Sequence, residues 1–169
     1  IEIIIKAVRE HSLNPIRNEA LIVTMFRHGL RVSEAVSLKW SQIDFEERVI
    51  HISRAKGSLD GTHPIPGEEM RLLRKLFKIS GSHSHVFISQ QGGPFTTSGI
   101  SNILKRGVKY TNILFPIHPH MLRHSCGYYL ANNNHSLRAI QMYLGHKSIS
   151  NTVIYTQLAT GAFDSFWKD

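Results

Sequence analysis

Apolar residues recur at helical intervals over residues 2–10 and 16–28; Asn14-Pro15 parts the two runs and Gly29 stops the second. A proline at a first turn and a glycine after the last apolar position punctuate two consecutive helices. Ser33 reads as the cap of a short third helix that starts at Glu34 and runs through Ala35, Val36 and Leu38. The period then shortens. Val49-Ile50-His51-Ile52 reads as a strand, Lys56-Gly57 and Asp60-Gly61 as turn signals, and Thr62 to Ile65 as a returning strand. With residues 53–56 counted as a further short strand, the pattern predicts a small three-stranded antiparallel sheet.

Helical spacing resumes at Glu68–Ile79, with Met70, Leu72, Leu73, Leu76 and Phe77 on the apolar side. His85 to Ser89 reads as a brief strand or extended segment before the Gly92-Gly93-Pro94 turn. Four more helices are predicted at 97–109, 119–131, 136–144 and 148–156, with Gly145 where a C-terminal cap falls. The fold class is therefore mainly α with one small antiparallel β-sheet, an α+β arrangement. No repeat, low-complexity tract or Pro/Gly/Ser linker divides the chain, so residues 1–169 read as a single domain ending in a short tail, 157–169.

Charge changes the picture more than composition does. Twenty Lys and Arg against twelve Asp and Glu give a formal net charge of +8, with eleven histidines in addition. Such a surface attracts polyanions, although charge alone leaves nucleic acid and no specific anion both open. The aliphatic runs are too short to span a bilayer, and no signal peptide is recognisable at the start. The single cysteine, Cys126, rules out an internal disulfide framework and suits a reducing compartment.

Four scattered patches carry candidate chemistry: Arg31 and Glu34 in GLRVSEAVSL, Lys56 in RAKGSLDG, His120 and Arg123 in HPHMLRHSCG, and His146 and Tyr155 in YLGHKSISNTVIYT. Each has an ordinary alternative: a surface ion pair, a solvated turn lysine, or a core aromatic with a satisfied hydroxyl. Together they match metal-free transesterification of a phosphodiester. Two arginines offer forked donors to phosphate oxygens, and two histidines can donate hydrogen bonds or move protons near neutral pH. A tyrosine hydroxyl attacks if the phosphate is neutralised, and a lysine can protonate the departing alkoxide. A metal reading fits less well. His118 and His120 alternate faces on a helix, and neither a cysteine pair nor an acidic residue accompanies His118, His120 and His124. His118 and His124 are read as packing neighbours of His120.

In order and spacing, these patches resemble the active-site signature of the tyrosine site-specific recombinases and phage-type integrases, over roughly residues 16–158. HPHMLRHSCG, YYLANN and YLGH look most like the small recombinases that invert fimbrial promoter switches. The resemblance implies that Tyr155 attacks the scissile phosphate to give a 3′-phosphotyrosine and a free 5′-hydroxyl. It further implies that Arg31 and Arg123 clamp the non-bridging oxygens, and that Lys56 protonates the leaving oxygen. His120 is expected to act as acid/base toward Tyr155, His146 to hydrogen-bond the phosphate, and Glu34 to orient its catalytic neighbours. No metal and no cofactor is expected, because the covalent bond conserves the phosphodiester energy.

The implied partners are double-stranded DNA with inverted-repeat sites, a homotetramer on synapsed DNA and accessory DNA-bending proteins, in a bacterial cytoplasm at the nucleoid. Most family members carry a helical DNA-clamping domain ahead of the catalytic one. None of that size precedes Arg31, so a fragment or a compact subgroup is expected. The tail, with Phe163, Phe166 and Trp167, is read as a subunit contact or as packing on its own chain. Two alternatives stay open: a DNA-binding protein on the same scaffold without turnover, and a nicking–resealing enzyme that needs no partner duplex.

Overall fold

The computed structural model describes residues 1–55 and 57–156. Helix α1 (Glu2–His11) and α2 (Pro15–Arg27) are the two helices that the Asn14-Pro15 break separates; they pack against each other, with Pro15 in the first turn of α2. Helix α3 (Val32–Ser37) follows, then a single 3₁₀ turn (Trp40–Gln42). Strands β1 (Ile43–Asp44), β2 (Val49–Ile52) and β3 (Gly61–Pro64) form the sheet in the order β1-β2-β3, antiparallel throughout. Among the described residues five further helices follow: α4 (Gly67–Ser80), α5 (Thr97–Val108), α6 (Pro119–Asn132), α7 (Leu137–Leu144) and α8 (Ser150–Thr156).

Two sequence expectations are corrected. Ser33 does not cap α3. Arg31 holds that position in an extended conformation, and Glu34 at the third helical residue accepts the Arg31 backbone N–H at 2.9 Å. A carboxylate two atoms longer than a serine hydroxyl thus reaches back from inside the helix to satisfy a donor that would otherwise be orphaned. The third strand is Ile43–Asp44, not residues 53–56. It pairs Ile43 with Ile50 and Asp44 with Val49, and the turn closes through Asp44 Oδ1, which accepts from the Glu46 and Glu47 backbones. Residues 53–55 leave the sheet because Arg54 turns inward, its backbone N–H held by Asp60 Oδ1 at 2.7 Å. Of the two readings of His85 to Ser89 the extended segment holds: it makes two isolated bridges, Lys39 with His85 and Ile88 with Pro94.

The main core is filled by Leu21, Ile22 and Met25 of α2, Leu73 of α4, Phe87, Ile100 and Leu104 of α5, and Leu122 of α6, all fully buried. Phe77, expected on the apolar side of α4, is 42% exposed yet packs edge-on to Trp40, with ring centroids 5.0 Å apart. A second, smaller core joins Cys126 and Ala131 of α6 to Ile140 and Leu144 of α7 and to Tyr155 of α8. Tyr155 therefore belongs to the packing of α6, α7 and α8. No described helix is long and apolar enough to cross a membrane.

Candidate active site

Glu34 lies at the base of the site, with its side chain 3% exposed. Its Oε1 accepts from Arg31 Nη1 at 2.7 Å and from the Ala55 backbone at 3.0 Å; its Oε2 accepts from the Arg31 backbone and from Arg54 Nη1, each at 2.9 Å. Burial alone would raise the carboxyl pKa, but the Arg31 and Ala55 backbone donors and the Arg54 charge outweigh it and bring it to about 2. Glu34 is thus a fixed anion that orders a pair of arginines. Arg31 keeps 30% of its side chain exposed, the more open of the two.

Arg54 escaped the sequence reading. Its side chain is fully buried, and besides Glu34 it donates to the carbonyls of Gly29, His28 and Tyr143 at 3.1, 3.0 and 2.7 Å. It ties the start of the β2–β3 hairpin to the ends of α2 and α7. Nothing in its local sequence distinguishes an arginine that leaves the sheet inward from one that points to solvent. Lys56, two residues further on, lies outside the described residues, as does the 157–169 tail with Phe163, Phe166 and Trp167. Ala55, its neighbour in the chain, is bonded to Glu34.

Arg123, 1% exposed, sits in the second turn of α6 and donates to Gly29 O at 2.5 Å and Leu144 O at 2.6 Å. Burial, then the charges of Arg54 and Arg31, lower its pKa to about 10, so it remains a cation at neutral pH. The Gly29 carbonyl therefore serves both buried arginines. Gly29 itself has φ +57°, and a Cβ there would fall 2.4 Å from Leu144 Cδ2, so only glycine turns the chain from α2 toward Arg31 at this spot.

His146 follows Gly145, which ends α7 in the left-handed conformation as expected. Its Nδ1 lies 2.9 Å from Thr152 Oγ1, and its carbonyl accepts from the buried Gln141 Nε2 at 3.0 Å. Burial first, then Arg123, Arg31 and Arg54, lower the imidazole to about 4, which keeps it neutral at pH 7. Thr152 and Gln141 were not singled out in the sequence; the i,i+6 and i,i+5 spacings to His146 carry no helical signal because a turn intervenes.

Tyr155 is 2% exposed. Its ring stands edge-on to Tyr128, 5.2 Å away, and lies nearly parallel to His146 at 6.4 Å. A Cβ on Gly127 would approach the Tyr155 ring to 2.6 Å, so the ring occupies the space a side chain would take. Burial raises the phenol pKa, and the Arg123 charge works against that rise. The side chain set against the hydroxyl is His124, its Nδ1 3.2 Å away. His120 stands exposed in the first turn of α6, its ring edge-on to His124 at 4.5 Å. His118, the residue before α6, is exposed. Among the described residues, no three His, Cys, Asp or Glu side chains gather as a metal-holding group.

Arg31, Glu34, Arg123, His146 and Tyr155, from separate stretches of sequence, are thus linked through shared carbonyls and adjoining rings, with His120 at the rim. The arrangement can hold an anion against buried positive charge beside a phenol.

Comparison with known proteins agrees in type. The profile of the phage integrase family matches residues 1–161. Type 1 fimbriae regulatory protein FimB of Escherichia coli strain K12 is 38% identical over 156 residues, covering 89% of this chain and 78% of FimB. Tyrosine recombinase XerC of Lacticaseibacillus casei strain BL23 is 36% identical over 151 residues, covering 84% of this chain and 50% of XerC. The crystal structure of XerA recombinase superposes with a TM-score of 0.83 at 28% identity, over 98% of this chain and 62% of XerA. The chain thus spans about half of XerC and under two thirds of XerA.

Proposed function

Because the chain belongs to the phage integrase family, we propose that it is a site-specific DNA recombinase that breaks and rejoins strands through a covalent Tyr155–DNA intermediate. The observation that carries this reading is the convergence of Tyr155 with a buried, permanently charged arginine pair: Arg123 and Arg54 share the Gly29 carbonyl, two residues before Arg31. Paired positive charge in a low-dielectric site favours the state in which a phosphate oxygen gains charge.

In this reading Tyr155 Oη forms a bond to the scissile phosphorus while the bond from phosphorus to the 5′-oxygen breaks. The protein is left as a 3′-phosphotyrosine, and the departing oxygen takes a proton from Lys56. Arg31 meets the non-bridging oxygens from the open side and Arg123 supplies charge from beneath. His146 donates a hydrogen bond to the same phosphate, the sequence resemblance assigns the Tyr155 proton to His120, and Glu34 keeps Arg31 aligned. Attack by the 5′-hydroxyl of the partner strand reverses the bond changes and closes the exchanged strand. The phosphodiester energy stays in the protein–DNA bond, so the cycle calls for neither ATP nor a metal.

The likeness to FimB, a fimbriae regulatory protein, favours inversion of a segment between inverted repeats over integration. Residues 1–169 act in this reading as one catalytic domain, four copies assemble on two synapsed duplexes with DNA-bending accessory proteins, and the tail contacts a neighbouring subunit. The place of action is the bacterial cytoplasm, at the nucleoid.

The test is a nicked suicide duplex carrying the inverted repeats that flank the gene. The wild-type chain is expected to form a denaturant-resistant protein–DNA adduct that Tyr155→Phe abolishes while still binding the duplex. Binding with no adduct from the wild type would instead assign a DNA-binding protein without turnover. Adduct formation and resealing on one duplex, with no strand exchange, would assign a nicking–resealing enzyme.

A further inference from the structure

The proposed cleavage leaves one proton unassigned by geometry: that of the Tyr155 phenol. The sequence resemblance gives it to His120, yet His120 is an exposed ring that meets His124 edge-on at 4.5 Å. The group within hydrogen-bond distance of the hydroxyl is His124 Nδ1, at 3.2 Å. Both partners are fixed in place. Tyr155 is wedged against Gly127 and Tyr128, and His124 lies one helical turn before Tyr128 on α6. His146 meets Tyr155 ring to ring, and its Nδ1 is taken up by Thr152 Oγ1.

Resting on the recombinase reading above, we infer that His124 is a catalytic residue: its Nδ1 accepts the phenolic proton as Tyr155 Oη bonds to phosphorus, and returns it when the phosphotyrosine is resolved. The balance is complete within the site. The phenolic proton passes to His124, the 5′-oxygen takes a proton from Lys56, and the reverse step restores both. A base in contact with the attacking atom suits a nucleophile whose burial opposes its own ionisation. His120 is left to the phosphate and to the rim. The titratable and charged groups around His124 are His120, Arg123 and Tyr128 from α6, Tyr155 from α8 and His146 from the turn before it; the charge of Arg31 acts on both neighbouring histidines and that of Arg54 on His146.

The test is single-turnover cleavage of the nicked duplex from acid to alkaline pH, with thermal melting and DNA affinity measured for each variant. His124→Gln keeps a polar side chain of similar reach but cannot take up a proton in this range. It is expected to bind DNA normally and to cleave roughly 100-fold more slowly at neutral pH, the usual size of a general-base effect. Its rate should climb with pH as hydroxide replaces the lost base. Replacing Tyr155 in this variant with a fluorinated tyrosine, which ionises more readily, should restore most of the neutral-pH rate. The same fluorinated tyrosine in an otherwise unaltered chain gives a reading that does not depend on how a His124 variant folds: with the proton acceptor in place, the neutral-pH rate should change less than tenfold. Cleavage by His124→Gln at the wild-type rate, an equal loss at every pH, or a fluorinated tyrosine that speeds the unaltered chain as much as it speeds His124→Gln would overturn the assignment. So would a pH-dependent, fluorotyrosine-rescued defect confined to His120→Gln. Failure of the recombinase reading shows separately, as a wild-type chain that forms no Tyr155-dependent adduct at all.

Discussion

Glu34 illustrates how much a single side chain can carry when it is buried and fully partnered. Its carboxylate accepts four donors, two from backbone and two from guanidinium groups. Its carboxyl ionises at about 2 rather than its ordinary 4.5, so the ionised form stabilises the fold. The stabilisation is complete above pH 4.5 and is lost as pH falls toward 2. Glu34→Gln is therefore expected to lower unfolding free energy at pH 7 by roughly 3 kcal/mol, because Arg54 is left buried without its counter-charge. Urea melts should show the gap to wild type closing between pH 4.5 and 2; a gap that persists there would mean the loss comes from packing. Arg54 and Arg123 show the complementary case, in which a guanidinium spends its forked donors on main-chain carbonyls and holds loops together while its charge still faces the site.

At the scale of elements, α6 does most to assemble the site. Pro119 opens the helix, and His120, Arg123, His124 and Gly127 follow at intervals of three, one and three, which keeps them along one side. The helix thus presents in sequence a rim histidine, a buried cation, the hydroxyl's partner and the gap that seats the Tyr155 ring. Helix α8 packs into that gap, so the position of Tyr155 depends on the absence of a side chain at residue 127. Gly127→Ala would place a methyl 2.6 Å from a rigid ring. The expected result is a stability loss of about 1–3 kcal/mol, together with adduct formation slowed more than tenfold while DNA affinity holds. An unchanged cleavage rate would show that α8 can shift without cost. The hairpin after β2 acts as a second positioning element: the Arg54 and Ala55 bonds to Glu34 fix the point from which residue 56 departs.

For the molecule as a whole, net charge and site geometry agree. Taken with the proposed DNA partner, the +8 balance implies binding driven by counterion release. A duplex-binding surface that covers half a dozen phosphates should lose on the order of 1000-fold in affinity between about 50 and 200 mM salt. Anisotropy titrations over that range check this; a flat salt response would show that contacts other than phosphate dominate. The two cores divide the labour. The larger one, from α1 through α6, holds the scaffold, and the smaller one among α6, α7 and α8 seats Tyr155. Core substitutions in the second group are thus expected to act on cleavage more directly than those in the first.

The sequence by itself determined the helices, the β2–β3 hairpin, the class of the fold and the residue types that come together, because periodicity, caps and turn residues act over a few positions. Glycines at 29 and 145, and the spacing of His120 and Arg123, were legible for the same reason. Only the tertiary structure decided where side chains from distant segments meet. A two-residue strand at Ile43–Asp44 has no alternation to read and exists because β2 offers it partners. Arg54 becomes a hub only once α2 and α7 bring their terminal carbonyls to it. His124, one position past Arg123 in a histidine-rich stretch, looks like a neighbour until α8 folds back and sets Tyr155 Oη against its ring. Contacts across 31 residues of chain leave no local signature, and it is there that packing, rather than pattern, chose which histidine faces the phenol.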